Sequence, residues 1–301
     1  MFLVSNAEMV KAALDAGITG AIPALNYRSV EDLEAAIKDI KAYSDKPFGI
    51  NLIANKSNIK LKEQLRVCLE QQVAYLITSL GNPKEIIEQA HQVGTKVFCD
   101  VVDDHYAEKV VALGADAVIA VNNEAGGHAG PNSLEVLYNQ LSKVIDVPII
   151  AAGRISTKSR LDNALAMGYA GASVGTIFIP TVECPVSADY KNACISYGAK
   201  DIVMTTKLSG TPCTVINTPY VQEVGTKQNG LERFLNRYKG LKKYVKMFVM
   251  LKGMKNLEKA AFTTTYKTVW CAGVSIEDVQ AIQPIKEVVK GLTEDTVIPQ
   301  G

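Results

Sequence analysis

The sequence has little of what marks several common classes of protein. Its 301 residues include one tryptophan and three histidines, and lysine plus arginine (32) nearly balances aspartate plus glutamate (31). The six cysteines show neither CxxC nor another metal-site spacing, so we predict neither a metal centre nor a disulfide framework. No apolar run reaches transmembrane length, and no basic field suggests nucleic acid. These absences predict a cytoplasmic protein that binds neither membranes nor nucleic acid.

The sequence is rich in apolar, β-prone runs that alternate with helical patterns. Hydrophobic residues make up 48% of the chain, which is ample for a large core. The predicted strands are Ile18–Leu25, Phe48–Ile53, Ala74–Ser79, Lys96–Val102, Ala117–Val121, Pro148–Ala152 and Gly171–Thr176. The predicted helices between them are Val30–Tyr43, Leu61–Gln72, Lys84–Gln92, His105–Leu113, Leu134–Ile145 and Lys158–Met167. This alternation is typical of parallel strands covered by helices.

One predicted strand ends in a cluster of chemically useful residues. The apolar run of Val118–Val121 leads into Glu124, Gly126, Gly127 and His128. Glycines allow a backbone to approach a ligand closely, and a histidine at the tip of a buried strand can meet a substrate. A lone histidine is more often structural, but the sequence Glu-Ala-Gly-Gly-His-x-Gly around it favours a functional site.

This motif and three further stretches resemble the nitronate monooxygenase family. The other stretches are Phe-Gly-Ile-Asn-Leu around Asn51, Ala-Ala-Gly-Arg-Ile from Ala151, and Gly-Ala-Ser-Val-Gly-Thr from Gly171. The resemblance runs from Met1 to about Leu292. It implies a TIM (β/α)8 barrel that binds FMN and is related to flavin-type enoyl-acyl-carrier-protein reductases. These stretches do not distinguish well between the two main activities of the superfamily, which are nitronate oxidation and enoyl-thioester reduction.

The first strand of such a barrel is missing or truncated in this sequence. Seven strands are predicted, and the family's first β-α turn, which touches the flavin, corresponds to Met1 at the start of the chain. Met1 is therefore a predicted flavin contact. Three explanations stay open: a misassigned start site, a trimmed chain, or a barrel that is open at this position.

The loops after the last two strands are predicted to hold the phosphate of FMN. If the missing strand is counted first, these strands are the seventh and eighth, whose loops form the usual phosphate site of a TIM barrel. Their tips carry small residues that expose main-chain N–H groups, and a hydroxyl. The predicted cofactor-binding residues there are Ala152, Gly153, Arg154, Gly175 and Thr176. The side chain of Arg154 either pairs with the phosphate or points to solvent.

The remaining predicted contacts lie at other strand ends. The carboxamide of Asn51 suits a flavin ring or its ribityl chain, and Glu124, Gly126 and Gly127 are predicted to shape the pocket. Asp100 stands where some nitronate-oxidising relatives carry a lysine, which puts the usual flavin electrostatics in doubt.

The chain is predicted to form one structural unit with two parts. Residues 1–182 form the FMN-binding barrel, and residues 183–301 form a helical cap that completes it. Within the cap, Gly230–Ala261 is basic and amphipathic, and it is predicted to be a lid over the barrel mouth rather than a membrane anchor.

The motifs and the resemblance support three functional classes. The leading interpretation is an FMN-dependent enzyme that oxidises alkyl nitronates with O2 to a carbonyl compound and nitrite, with His128 as its catalytic residue. The alternative is an enoyl-thioester reductase that uses FMN and NAD(P)H. The third is a flavin-binding barrel that has lost catalysis, since Val274 replaces a glutamine common in relatives. A homodimer is a possible assembly.

Overall fold

The structure, a computed structural model, describes residues 1–55, 58–206, 212–227 and 269–294. The predicted lid at Gly230–Ala261 lies outside these residues. Among the helices that are described, none is both long and apolar enough to cross a bilayer.

The core of the fold is a curled parallel sheet of seven strands in chain order. The strands are β1 Ala21–Pro23, β2 Gly49–Ile53, β3 Tyr75–Ser79, β4 Lys96–Val101, β5 Ala117–Val121, β6 Ile149–Ala152 and β7 Gly171–Ser173. The helices are α1 Ala7–Asp15, α2 Val30–Tyr43, α3 Leu61–Glu70, α4 Lys84–Gln92, α5 Asp104–Ala112, α6 Leu134–Leu141, α7 Lys158–Met167, α8 Ala188–Ser196, α9 Pro219–Val224 and α10 Ile285–Thr293. Helices α2 to α7 connect consecutive strands, which confirms the predicted TIM-barrel-like α/β fold.

Local sequence explains why these elements form where they do. Helix α2 begins at a capping box in which Ser29 accepts from the N–H of Asp32 and the Asp32 carboxylate accepts from Ser29. Its buried residues, Leu33, Ile37 and Ile40, recur at helical spacing and face the sheet. The predicted bounds of α2, α4 and α7 coincide with the observed ones.

The strands alternate between two environments. In β3, Leu76 and Thr78 are buried against the helices, whereas Tyr75, Ile77 and Ser79 face the interior of the curled sheet. The ladder keeps this alternation in register, because Leu76 pairs with both Ile50 and Val97. All seven strands therefore present their carboxyl ends at one edge.

The curled sheet is an arc and not a closed ring of strands. Within the described residues, no strand joins β7 to β1. The opening, which we call the seam, is covered by helices, since α10 packs against both α1 and α7. Val4, Met9, Ile285 and Val289 share one buried cluster at this place.

Helices α1 and α9 and a β-hairpin were not predicted from the sequence. Helix α1 begins after Asn6, whose side chain accepts from the N–H of Met9. An antiparallel hairpin pairs β8, Ile202–Thr205, with β9, Cys213–Ile216.

The buried face of β2 provides a test of the fold. Ile50 is fully buried between the sheet and its helices, and Ile59 is 85% exposed. We expect Ile50→Ala to lower the free energy of unfolding by about 2–5 kcal/mol, because it leaves a cavity. The matched change Ile59→Ala should shift it by less than about 0.5 kcal/mol. Urea unfolding followed by far-UV circular dichroism measures both, and equal losses would contradict the assigned burial.

Candidate active site

The interior of the arc and the carboxyl ends of its strands enclose a cavity of about 1550 Å³. Pockets for small ligands usually measure about 300–1,000 Å³, so this cavity has room for a cofactor together with a substrate. The strands contribute inward-facing side chains such as Ile77 and Val121, and the loops that follow the strands form the mouth.

The fold brings most of the predicted site residues together on this cavity. Lining it are Met1, Asn51, Gly126, Gly127, His128, Ala152, Gly153, Arg154, Gly175 and Thr176. They come from distant parts of the sequence, and the common edge of a parallel sheet makes them neighbours. Glu124 is the exception, because it does not line the cavity and its carboxylate contacts Arg154 instead.

Asn122 joins the loop after β5 to the loop after β6. Its side chain is fully buried; Nδ2 donates to the carbonyl of Gly153 at 3.1 Å, and Oδ1 accepts from the N–H of Glu124 at 2.8 Å. A Cβ atom at Gly153 would lie 1.8 Å from Asn122 Oδ1, and Gly153 has φ of 121°, so this position requires glycine. Asn122 was not predicted as a site residue, although an asparagine directly after a buried strand was a visible signal.

Several main-chain N–H groups at the carboxyl ends of β6 and β7 have no hydrogen-bond acceptor among the described residues. The main-chain N–H groups of Gly153, Arg154, Gly175 and Thr176 donate no hydrogen bond within the described part of the chain. Arg154 takes a left-handed conformation with φ of 55°, and its Nη1 donates to Glu124 Oε1. The buried Nε of Arg154 has no partner among the described residues. Several orphan donors around one arginine suit an anion such as phosphate.

Three backbones meet tightly beside this donor set. Thr176 Oγ1 accepts from the N–H of Gly273 at 3.0 Å. A Cβ atom at Gly126 would lie 2.7 Å from Thr176 Oγ1 and 2.9 Å from the nitrogen of Gly273. Gly126 is therefore needed for close approach, and the segment around Gly273 packs against the donor set.

The hairpin of β8 and β9 holds the loop that carries His128. The N–H of Gly127 donates to Thr214 Oγ1 at 2.9 Å, and the N–H of Thr214 donates to the carbonyl of Gly127 at 2.8 Å. The His128 ring makes no hydrogen bond within the described residues, and it reaches solvent through the cavity. His128 is exposed as a whole residue, and partial desolvation of its ring lowers the pKa of its imidazole below the usual 6.5. Its imidazole is thus mainly neutral at pH 7.

A chain of hydrogen bonds crosses the inner face of β2, β3 and β4. Asn51 Nδ2 donates to Ser79 Oγ at 2.8 Å, and Ser79 Oγ donates to Asp100 Oδ2 at 2.5 Å. Asp100 touches the cavity but lies deep inside the arc, and this burial raises the pKa of its carboxyl group to about 6. The sequence placed Asn51 and Asp100 at strand ends, but Ser79 was not singled out.

Comparison with known proteins agrees with this geometry. The fold and the loops define a TIM-barrel-like protein. At the carboxyl ends of its last two strands, main-chain N–H groups and an arginine form a group of donors that suits an anion. The family model described as nitronate monooxygenase matches residues 1–295, so the chain belongs to that family and the predicted resemblance is confirmed. Membership of that family implies a flavoprotein.

Individual relatives carry different names. A carboxyl-CoA dehydrogenase of Rhodococcus jostii, (3aS,4S,5R,7aS)-5-hydroxy-7a-methyl-1-oxo-octahydro-1H-indene-4-carboxyl-CoA dehydrogenase, is 31% identical over 73% of this chain and 62% of its own length. The chain thus spans less than two thirds of that relative. A nitronate monooxygenase of Paraburkholderia phytofirmans is 24% identical over 69% of each chain. The structure of FabK from Thermotoga maritima superposes with a TM-score of 0.83 and 29% identity, covering 97% of this chain and 89% of that one.

The buried carboxyl group of Asp100 predicts a pH dependence of stability. Its pKa is about 6 in the folded protein and 3.8 ordinarily, so the folded state holds the proton more tightly and stability falls as pH rises from about 4 to 6. We expect Asp100→Asn to raise the free energy of unfolding at pH 7 by on the order of 2–3 kcal/mol and to change it little at pH 3.5. Urea unfolding across this range is the measurement, and a constant difference between variant and wild type would refute the burial of the charge.

Proposed function

We propose that the protein is an FMN-dependent oxidoreductase that oxidises alkyl nitronates with O2 to a carbonyl compound and nitrite. The observation that carries the proposal is His128, which faces the cavity, makes no hydrogen bond within the described residues, and has a lowered pKa. A neutral imidazole that faces a cavity is suited to remove a proton from a carbon acid.

The residues around the cavity fit FMN. The orphan N–H groups of Gly153, Arg154, Gly175 and Thr176, with the Arg154 guanidinium, would hold the phosphate. The carboxamide oxygen of Asn51 accepts no hydrogen bond within the described residues, so it is available to a donor of the flavin. When bound, FMN supplies the electron-accepting chemistry that amino-acid side chains lack.

The role of His128 depends on the form of the substrate. A neutral nitroalkane must lose its α-proton, and His128 would accept that proton at a ring nitrogen. The resulting imidazolium would then lie beside the nitronate anion and stabilise it. A preformed nitronate needs no proton transfer, so His128 would act on it only through charge and position.

We propose, as a second candidate, reduction of an enoyl thioester with FMN and NAD(P)H. The volume of the cavity favours it, because about 1550 Å³ is more than a cofactor and a small nitronate require. The 31% identity to a carboxyl-CoA dehydrogenase also supports a thioester substrate. The two candidates share the cofactor and His128 and differ in the source of the electrons.

The phosphate site is tested by comparing FMN with riboflavin, which lacks the phosphate. Arg154→Gln removes a guanidinium that would bond the phosphate, and a hydrogen bond to a charged group contributes about 1.5–3 kcal/mol. We expect the Kd for FMN to rise about 10- to 100-fold while the Kd for riboflavin changes little. Arg160→Gln, on α7 and paired with Asp278, is the matched control and should change neither value. Equal weakening of both flavins by Arg154→Gln would exclude a phosphate contact.

The catalytic role of His128 is tested by anaerobic flavin reduction with three reductants. Removing an acid–base group costs about 10²–10⁴-fold in rate, so His128→Asn should slow reduction by a neutral nitroalkane by that factor and reduction by nitronate much less. His105→Asn, a change outside the cavity lining, serves as the control. Rapid bleaching by NADH with none by nitronate would favour the thioester reductase. Unchanged rates in His128→Asn with every reductant would remove His128 from the mechanism.

A further inference from the structure

Three polar side chains lie side by side on the inner face of neighbouring strands. Asn51 in β2, Ser79 in β3 and Asp100 in β4 all face the cavity. Asn51 Nδ2 lies 2.8 Å from Ser79 Oγ, and Ser79 Oγ lies 2.5 Å from Asp100 Oδ2. The inward-facing side chains around them are apolar and include Ile77, Phe98 and Ile119. This hydrogen-bond chain therefore crosses a surface that offers few other polar partners.

We propose that Asp100 is a positioning residue that acts through Ser79 and holds the Asn51 carboxamide with its oxygen free to accept from the flavin. The inference rests on the proposed flavin cofactor, but not on the choice between a nitronate and a thioester substrate. A carboxamide has a donor end and an acceptor end of nearly the same shape, so its surroundings must choose between them. The flavin donor is either the N–H of its ring or a hydroxyl of its ribityl chain.

The number of available protons sets the direction of the hydrogen-bond chain. An ionised carboxylate only accepts hydrogen bonds, and a serine hydroxyl has a single proton to donate. Because Ser79 gives that proton to Asp100, its oxygen can only accept, and Asn51 must turn its NH2 group toward Ser79. The reversed carboxamide would place Asn51 Oδ1 beside Ser79 Oγ with no proton between the two oxygens.

The bond between Ser79 and Asp100 is the strongest constraint on this orientation. Asn51 Nδ2 also lies near the carbonyl of Ile77, but the distance of 3.4 Å exceeds the usual range of about 2.7–3.2 Å for an N–H···O hydrogen bond. Among the described residues, no group other than Ser79 donates to the Asp100 carboxylate. Hydrogen bonds to a charged group are roughly twice as strong as neutral ones. Removal of the carboxylate therefore frees the Ser79 hydroxyl to donate to Asn51 and allows the carboxamide to reverse.

The test measures the affinity for riboflavin, which has the ring and ribityl donors but no phosphate. The measurement is made at about pH 8, above the pKa of about 6 that burial gives Asp100, so that its carboxylate is ionised. We expect Asp100→Ala and Ser79→Ala each to raise the Kd about 2- to 10-fold, as the loss of one hydrogen bond does. Ser79→Thr keeps the hydroxyl and should bind as the wild type does. The control is Asp39→Asn, an exposed carboxylate paired with Lys11, which should leave the Kd unchanged.

A double-mutant cycle shows whether Asp100 acts through Asn51. In an Asn51→Ala background the carboxamide is absent, so adding Asp100→Ala should change the Kd for riboflavin by less than about twofold. Two further probes identify the flavin donor, because 3-methylriboflavin lacks the ring N–H and lumiflavin lacks the ribityl hydroxyls. The effect of Asp100→Ala should disappear with whichever of these probes lacks the donor that Asn51 recognises.

Two results would overturn the proposal while the flavin assignment stands. One is an equal effect of Asp100→Ala in the wild-type and Asn51→Ala backgrounds, because Asp100 would then act on the flavin directly. The other is unchanged riboflavin affinity in folded Ser79→Ala, a comparison that needs no change at Asp100 if Asp100→Ala folds poorly. Failure of wild-type protein to bind either riboflavin or FMN is a different result, which would overturn the cofactor assignment and this proposal together.

Discussion

The candidate site depends on the buried carboxamide of Asn122. This side chain donates to Gly153 and accepts from Glu124, so a single group sets the distance between the loops after β5 and β6. Glu124 in turn holds the guanidinium of Arg154. An unmade bond at this depth leaves a desolvated donor or acceptor, which is more costly than the bond itself is worth. The loop of His128 and the donors at the tip of β6 therefore keep one relative position.

Desolvation organises the electrostatics of the cavity. It lowers the pKa of His128, which favours the neutral imidazole at pH 7, and it raises the pKa of Asp100 to about 6, so that this carboxyl group is still mostly ionised at pH 7 and takes up its proton as the pH falls through about 6. Positive potential is concentrated instead at the tips of β6 and β7, where Arg154 and several N–H groups lie. The cavity therefore has one anion-binding end that is well separated from the buried carboxyl group of Asp100, which suits a ligand that carries a phosphate at one end.

The sequence revealed the framework of the fold because helices and strands have periodic signals. The alternation of seven apolar runs with amphipathic helices predicted the parallel sheet, and the predicted bounds of α2, α4 and α7 match the observed ones. The glycine-rich strand ends then placed His128, Gly153 and Gly175 on one edge. These features are local, and they follow from short stretches of sequence.

What the sequence could not supply were contacts between distant segments. The bond between Thr214 and Gly127 spans 87 residues, and the bond between Gly273 and Thr176 spans 97. Neither leaves a pattern in a window of sequence. The hairpin of β8 and β9 was missed for a similar reason, because its strands are short and their pairing depends on tertiary contacts.

The seam between β1 and β7 has a mechanical consequence. A closed barrel acts as a hoop, in which any change of circumference must stretch or break a hydrogen-bonded ladder. In the described residues the seam is bridged by packing of α10 against α1 and α7. Packed side chains can slide past one another by small amounts, whereas a hydrogen-bonded ladder of strands must break bonds to change its length. The phosphate-suited loops lie toward one end of the arc, and Asn51 in β2 lies toward the other. The three helices that cover the seam thus govern the curvature of the sheet. They thereby also govern the distance between the phosphate-suited loops and Asn51.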